Sequence, residues 1–267
     1  MLVGSPALDA GDPTVTSGTD QRGFNRVFDA LGGGARIDIG AVEQQNNGAA
    51  EPPEVQNEVS VRGDTLFVSG LIGVDDVITI SESGDNLIVA LNGTNSVVDN
   101  TGITEINIVS FSGDDRITVD QNSFSSFNSL VDAGDGDDRV VIFGEGDSLV
   151  FGGGGNDTLF GGEGRDILSG DDGNDILQGF EGDDQLFGGG GNDILRGLEG
   201  DDELFGGGGD DELDGGEDDD RLVGDDGDDE LIGQLGDDVL LGLSGDCLLY
   251  TSPSPRDLST SRMPSSA

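Results

Sequence analysis

An aspartate recurs every nine residues through the second half of the chain, and this spacing is the strongest chemical signal in the sequence. From residue 152 to residue 241, ten nonapeptides follow one another without a gap, from GGGGNDTLF to GQLGDDVLL. Each has Gly at position one, Asp at position six and Leu at position eight, and position four departs from Gly only at Asp218. The position-six residues are Asp157, Asp166, Asp175, Asp184, Asp193, Asp202, Asp211, Asp220, Asp229 and Asp238.

The unit predicts a tight turn followed by a three-residue strand, because Gly permits the positive φ angles of turns and only the Leu of each strand points inward. Two units make one coil with a turn at each edge, and neighbouring coils stack about 4.8 Å apart. The aspartates then repeat along each edge, where adjacent carboxylates repel by about 1 kcal/mol even in water. A divalent cation between successive turns would relieve this repulsion.

The donors available to such a cation are carboxylate and carbonyl oxygens, which suit a hard ion. A flexible cage of six or more oxygens favours Ca²⁺ over Mg²⁺. Residues 152–246 contain 23 Asp and 7 Glu against 3 Arg, so the repeats repel themselves when no metal is bound. We therefore expect the metal-free repeat to be disordered, and metal binding and folding to be one event.

The nonapeptides resemble the hemolysin-type calcium-binding repeat of RTX proteins, whose pattern is GGxGxDxUx. The resemblance implies a right-handed parallel β-roll, an extracellular setting and multiple Ca²⁺ ions bound by the position-six aspartates and by turn carbonyls. The carbonyls implied are those of Gly152, Gly154, Gly161, Gly170, Gly179, Gly188, Gly190, Gly197, Gly206, Gly208, Gly215, Gly224 and Gly233. Asp218 at position four puts the turn at 215–220 in doubt.

The repeat becomes weaker upstream, and residues 132–246 are predicted to form the roll. AGDGDDRVV at 133–141 fits the frame and adds Asp138 to the expected ligands, whereas IFGEGDSLV at 142–150 keeps only Asp147 and Leu149, with Phe151 as an insertion. Residues 59–131 read as short β-branched strands, and GVDDVITI at 73–80 and GDDRITV at 113–119 look like degenerate copies of the repeat turn. The fold of 59–131 is open between a continued solenoid and a small sandwich.

Three other segments differ from the repeats. Residues 1–43 resemble the last coils of right-handed parallel β-helix proteins of the pectate-lyase-like surface class, through SPALDAGD, DQRGFNR and ARIDIGAVE. Residues 44–58 read as a linker, with two prolines and several amides. From Cys247 the composition changes abruptly, and 247–267 resemble a translated sequencing adapter; we therefore expect a truncated roll with a non-native tail.

The outward position-nine residues predict a difference between the two faces of the roll. Alternate units end in Ser169, Phe187, Phe205, Val223 and Leu241, and the others end in Phe160, Gln178, Arg196, Asp214 and Ile232. The first, more apolar row is interpreted as a cross-coil ladder that stabilises the sheet, with a docking face as the alternative.

The composition limits the functions that the chain can carry. Its net charge of −45 argues against nucleic acid and anionic membrane as partners, and it has no apolar run of membrane-spanning length. There is no His, and no triad, zinc motif or phosphate loop, so no catalytic residue is predicted.

We expect a non-enzymatic calcium-binding module that folds on export from a bacterium to the cell exterior or surface. The alternatives are a fragment of a polysaccharide-active β-helix enzyme, such as a lyase or epimerase, and a fragment of an adhesin. In either alternative the active domain lies elsewhere, and a cell-surface or polysaccharide partner would bind there.

Overall fold

The computed structural model describes residues 58–121 and 127–250, together with the backbone of residues 258–260. These residues contain no helix, and all of their secondary-structure elements are β-strands. No helix that could cross a membrane occurs in this part of the chain. The predicted β-helix segment 1–43, the linker up to residue 57, and residues 251–257 and 261–267 of the predicted tail lie outside the described residues.

The strands are short, mostly five to eight residues long. They are β1 (Glu58–Arg62), β2 (Thr65–Ser69), β3 (Val77–Ser83), β4 (Asn86–Leu91), β5 (Thr94–Asp99), β6 (Glu105–Val109), β7 (Arg116–Asp120), β8 (Asn128–Asp135), β9 (Arg139–Phe143), β10 (Ser148–Gly154), β11 (Thr158–Gly162), β12 (Ile167–Asp172), β13 (Ile176–Glu181), β14 (Gln185–Gly190), β15 (Ile194–Glu199), β16 (Glu203–Gly208), β17 (Glu212–Glu217), β18 (Arg221–Asp226), β19 (Glu230–Leu235), β20 (Val239–Leu241), β21 (Leu248–Tyr250) and β22 (Leu258–Thr260).

These strands form two sheets of eleven strands each. One has the order β1-β2-β6-β8-β10-β12-β14-β16-β18-β20-β22, and the other has the order β21-β19-β17-β15-β13-β11-β9-β7-β3-β4-β5. From β6 onward, successive strands alternate between the sheets and pair in parallel with the strand two places along the chain. The predicted all-β parallel roll is confirmed.

The core of the roll is a double row of leucines. The register places Leu159 opposite Leu177 in one sheet and Leu168 opposite Leu186 in the other, so each coil repeats after 18 residues. All ten position-eight leucines have no exposed surface: Leu159, Leu168, Leu177, Leu186, Leu195, Leu204, Leu213, Leu222, Leu231 and Leu240. One buried leucine per strand, with its two neighbours facing outward, is what the alternation of a strand predicts.

The predicted frame of residues 142–151 is wrong by one residue. Val150 pairs with Leu168, so Val150 takes position eight and Leu149 takes position seven. Ser148 therefore stands at position six, Asp147 at position five and Phe151 at position nine. The extra residue is Ile142, whose side chain is buried at the end of β9. Burial of Ile142 explains the shift, because a strand end can hold one more apolar side chain than the repeat contains.

Residues 58–121 continue the solenoid and do not form a sandwich. Strand β2 pairs in parallel with β6, and β3 pairs in parallel with β7. The register aligns Val77, Arg116 and Arg139, so Asp76 and Asp115 occupy the position-six place of the two degenerate copies. Antiparallel pairs are added at this end of the sheets, between β1 and β2 and within the meander β3–β4–β5.

The apolar outer row is a ladder of side chains across coils, as predicted. Ser169, Phe187 and Phe205 stand opposite one another on β12, β14 and β16. The rings of Phe187 and Phe205 stack with their centroids 5.1 Å apart, and the Arg221 guanidinium carbon lies 5.1 Å from the centroid of Phe205. Aromatic stacking and cation–π contacts of this kind add to sheet pairing.

The turn that contains Asp218 is formed, which settles the doubt raised by its sequence. Asp218 has φ 78°, a left-handed value, where eight of the nine other units have Gly with φ between 124° and 158°. The hydrogen bonds on both sides are kept, since Asp202 N–H reaches Asp220 Oδ1 at 3.0 Å and Asp220 N–H reaches Asp238 Oδ1 at 3.1 Å. The non-glycine residue is thus accommodated at the cost of backbone strain.

We predict that Asp218→Gly stabilises the calcium-loaded chain by about 1 kcal/mol, because it removes the left-handed strain and one surface charge. The urea midpoint at saturating Ca²⁺ measures this change. Gly200→Asp is the matched reverse substitution one coil earlier, where a Cβ would overlap the carbonyl oxygen of Gly182. It should destabilise the chain, and a lower midpoint for Asp218→Gly would contradict the prediction.

Candidate metal centre

Two ladders of buried aspartates follow the two turn edges of the roll. Because position six ends the turn and begins the strand, its side chain lies at the edge of the core in every coil. Each of these carboxylates belongs to a residue that is at most 3% exposed. One ladder contains Asp76, Asp115, Asp138, Asp157, Asp175, Asp193, Asp211 and Asp229, and the other contains Asp166, Asp184, Asp202, Asp220 and Asp238.

One carboxylate oxygen of each rung is fixed by the preceding coil. Except in Asp76 and Asp166, Oδ1 of each ladder aspartate accepts the backbone N–H of the aspartate one coil earlier, as when Asp175 N–H donates to Asp193 Oδ1 at 2.8 Å. These distances run from 2.6 to 3.1 Å along both ladders. The second ladder begins at Asp166, whose Oδ1 accepts the N–H of Ser148.

The other oxygen lacks a protein donor. Among the described residues, Oδ2 is buried and accepts no hydrogen bond in Asp115, Asp138, Asp157, Asp166, Asp175, Asp184, Asp193, Asp202, Asp211 and Asp220. A buried anionic oxygen without a partner costs several kcal/mol. Ten such atoms in two rows are a donor set that fits a row of cations, and the hard oxygen chemistry fits Ca²⁺.

Position-one glycine creates the space beside this oxygen. A Cβ on Gly170 would overlap Asp175 Oδ2 and lie 2.7 Å from the carbonyl oxygen of Gly188 in the next coil. The same two kinds of oxygen flank Gly188, Gly197 and Gly206. A carboxylate oxygen and a carbonyl oxygen from neighbouring coils thus border one gap, which only glycine leaves open.

The predicted glycine ligands fall into two groups. The position-one carbonyls of Gly188, Gly206, Gly215 and Gly224 border the gaps beside Asp175, Asp193, Asp202 and Asp211. The position-three carbonyls of Gly154, Gly190 and Gly208 instead each accept the N–H of a position-four glycine at 2.6 to 2.7 Å. Around Gly152, Gly161, Gly179, Gly224 and Gly233, an added Cβ would meet the carboxylate of the same unit.

Carboxylates alone do not make a site here. No group of three or more His, Cys, Asp or Glu side chains converges in a geometry for one metal ion in the part of the chain that the structure describes. This follows from the coil spacing, which brings one carboxylate per coil to each edge. The backbone carbonyls that border the gaps are further oxygen donors of the kind that Ca²⁺ takes.

Burial raises the pKa of the eleven ladder carboxylates between Asp115 and Asp229. It raises the pKa of Asp157, Asp184 and Asp220 to about 8, with the N–H bond to Oδ1 opposing the rise and neighbouring aspartates adding to it. The pKa of Asp138, Asp166, Asp175, Asp202 and Asp211 rises to about 7 for the same primary reason. Desolvation is the dominant cause, so the metal-free roll binds protons where it would otherwise bind cations.

A second, exposed ladder at position five was missed in the sequence. Asn174 N–H donates to Asn156 Oδ1 at 3.0 Å, and Asn192 N–H donates to Asn174 Oδ1 at 2.7 Å. These bonds run from each coil to the one before it, opposite in sense to the position-six ladder. The signal was present, because position five is Asn or Asp in nine of the ten units.

Residues 144–246 match the family model described as RTX calcium-binding nonapeptide repeat (4 copies). The matched ranges are 144–177, 160–195, 178–213, 187–222 and 214–246. A comparison with curated proteins gave no match. The matched residues include all of the aspartates with an unpartnered Oδ2 except Asp115 and Asp138. The calcium-binding description of the family agrees with the oxygen donors that the coils bring together.

We predict that Asp202→Asn weakens calcium-dependent folding by about 2 kcal/mol, because it removes the charge at Oδ2 while keeping the acceptor for Asp184 N–H. Asp201→Asn is the matched control, since it loses the same charge at the exposed neighbouring position. Calcium titrations followed by far-UV circular dichroism compare the two variants. Equal shifts in both would show that overall charge, and not the buried ladder, sets the calcium requirement.

A second prediction concerns pH in the absence of metal. Unfolded aspartates have a pKa near 3.9, whereas burial raises the pKa of folded ladder aspartates such as Asp138 and Asp157 to about 7 and about 8, so the folded state binds more protons between these values. The contribution of these aspartates to the stability of the folded state is therefore fully present below about pH 4 and is lost as the pH rises through about 8. Metal-depleted protein should gain β-sheet ellipticity as the pH falls from 8 to 5. Constant or decreasing ellipticity over this range would contradict the assignment.

Proposed function

We propose that residues 144–246, which match the model of the RTX calcium-binding nonapeptide repeat, form a calcium-binding module that folds only when Ca²⁺ occupies its turns. The observation that carries the proposal is the row of buried Oδ2 atoms without a protein donor. A metal-free fold leaves these atoms either charged and unpaired or protonated, and both states are unfavourable near neutral pH.

The residues that would hold the ions are the position-six aspartates and the position-one carbonyls of the next coil. The aspartates supply the charge, and the carbonyls complete the oxygen cage without adding repulsion. The Ca²⁺ ion supplies the positive charge that cancels the repulsion between successive coils. The bond from each Asp N–H to the next Oδ1 holds the carboxylate plane in one orientation, so the free oxygen faces the gap.

We further propose that the module works outside the cell, as a structural segment of a secreted or surface-attached bacterial protein. Support comes from the calcium levels on the two sides of the membrane. A site of extracellular type, with a Kd of about 10⁻⁴ to 10⁻³ M, stays empty in the cytosol and fills outside. The chain would thus be exported unfolded and would fold on arrival.

A non-catalytic role is proposed for the described residues. Among the described residues, the titratable groups whose pKa burial raises are ladder aspartates and Cys247, and each of these aspartates accepts a structural hydrogen bond through Oδ1, as Asp157 and Asp166 do. The chain contains no His to act as a general base near neutral pH. Perturbed carboxylates repeated at every coil indicate a periodic binding function and not a single reaction centre.

We predict that Ca²⁺, but not Mg²⁺, converts the metal-depleted chain from a largely disordered form to β-sheet at neutral pH. Mg²⁺ fails because it demands octahedral geometry and retains its water ligands. Far-UV circular dichroism of the full chain, titrated with each ion up to about 10 mM, tests this. A full β-sheet spectrum in chelator, or equal responses to both ions, would contradict the proposed function.

A further inference from the structure

The first rung of the aspartate ladder differs from those that follow it. Asp76 Oδ2 accepts the N–H of Leu71 at 2.7 Å, and its Oδ1 accepts the side-chain amide of Asn92. Both oxygens of this buried carboxylate therefore have protein donors. By contrast, Oδ2 has no protein donor in ten later rungs, of which Asp115 alone lies within residues 58–121. Asp76 is satisfied without a cation.

Asn92 replaces the coil that would precede Asp76. In the regular roll, the aspartate of one coil donates its N–H to the next carboxylate, and its carbonyl accepts the next position-seven N–H, as Asp175 does with Asp193 and Ile194. Asn92 makes the same two bonds with its carboxamide. Its Nδ2 donates to Asp76 Oδ1, and its Oδ1 accepts the N–H of Val77 at 2.8 Å.

The next rungs also lack the open gap of the roll. Position one is Ser110 in the coil of Asp115, and the Ser110 hydroxyl donates to the carbonyl oxygen of Ala133 at 2.9 Å. This carbonyl occupies the place of the position-one carbonyls that border the gaps in the roll. Position one is Ala133 in the coil of Asp138. Gly70 takes the position-one place beside Asp76 Oδ2, and Gly152 beside Asp157 is the next glycine to do so.

The core of this end is also denser than that of the roll. Residues 58–121 bury twelve aliphatic side chains, whereas the longer stretch 152–241 buries the same number. Strands β2, β3, β6 and β7 each bury at least two aliphatic residues, such as Ile78 and Ile80 in β3, whereas most strands of the roll bury one leucine. The meander β3–β4–β5 adds local antiparallel pairing, which forms without closing long loops.

The acidic charge of this end is lower as well. Residues 58–121 contain 11 Asp and Glu among 64 residues, compared with 30 among the 95 residues of 152–246. Burial is thus greater and self-repulsion smaller where the carboxylate ladder begins. Both differences favour a fold that needs no bound cation.

We propose that residues 58–121 are a calcium-independent N-terminal cap, closed by Asn92, on which the calcium-dependent coils assemble. The second part of this inference, that calcium-dependent coils assemble on the cap, rests on the proposed function, since it assumes that the roll requires Ca²⁺. In this arrangement β6 and β7 present ready sheet edges to β8 and β9, and the roll then grows one coil at a time toward the C-terminus.

Hydrogen exchange of the full chain, read by mass spectrometry, tests the cap directly. In chelator, amides of 77–91 and 105–120 should be protected while those of 158–241 exchange as in an unfolded chain, and Ca²⁺ should then protect the second group. If both groups are unprotected in chelator and Ca²⁺ protects both, the cap is wrong and the proposed function stands. If 158–241 is protected in chelator, or stays unprotected in Ca²⁺, the proposed function fails instead.

The templating step is tested by Ile80→Ala, which weakens the cap core far from any predicted ligand. The calcium concentration at which 158–241 becomes half protected should rise about fivefold or more, because the coils would have to form on a partly unfolded base. Val97→Ala is the matched control, since Val97 lies on β5 with 67% of its surface exposed. If Ile80→Ala destabilises the cap but leaves the calcium midpoint for protection of 158–241 unchanged, the proposal that the coils assemble on the cap is wrong.

Discussion

The roll depends on a buried carboxylate that the protein satisfies at only one of its two oxygens. The bond from each Asp N–H to Oδ1 of the next coil sets the spacing and orientation of the turns, and it leaves Oδ2 facing a gap between coils. Position-one glycine follows from this arrangement, because a Cβ there would occupy the place of Oδ2. The leucine core then contains one residue per strand, since carboxylates lie in the turns at both edges of the core.

Most of this arrangement could be predicted from sequence because the interactions that create it repeat with the sequence. The nine-residue period determines which residues share an edge of the roll. The leucine at position eight of every unit, from Leu159 to Leu240, determines which face of each strand points inward. The ligand chemistry follows from the absence of soft donors and the excess of carboxylates. The sequence repeat therefore determines both the fold and the positions of the candidate ligands, as it does in solenoids generally.

The features that were not predicted arise where the repeat meets non-repeating sequence. The frame at 142–151 is set by burial of Ile142 and by pairing of Val150 with Leu168, and both depend on contacts with neighbouring coils. Asn92 acts on Asp76 across a hairpin, a relationship that no period reveals. The position-five ladder was visible as a preference for Asn and Asp, but its direction could be known only from the backbone.

The two hydrogen-bonded ladders give each coil opposite links to its neighbours. Position six of a coil donates to the coil after it, and position five donates to the coil before it, as Asp211 and Asp210 do. A cation that orients one position-six carboxylate therefore also fixes the backbone N–H of the coil before it, whose own carboxylate borders the adjacent gap. Binding in one gap thereby prepares the next on the same edge. The two edges are joined by the short strands and their leucines, whereas the side-chain bonds of both ladders run along one edge.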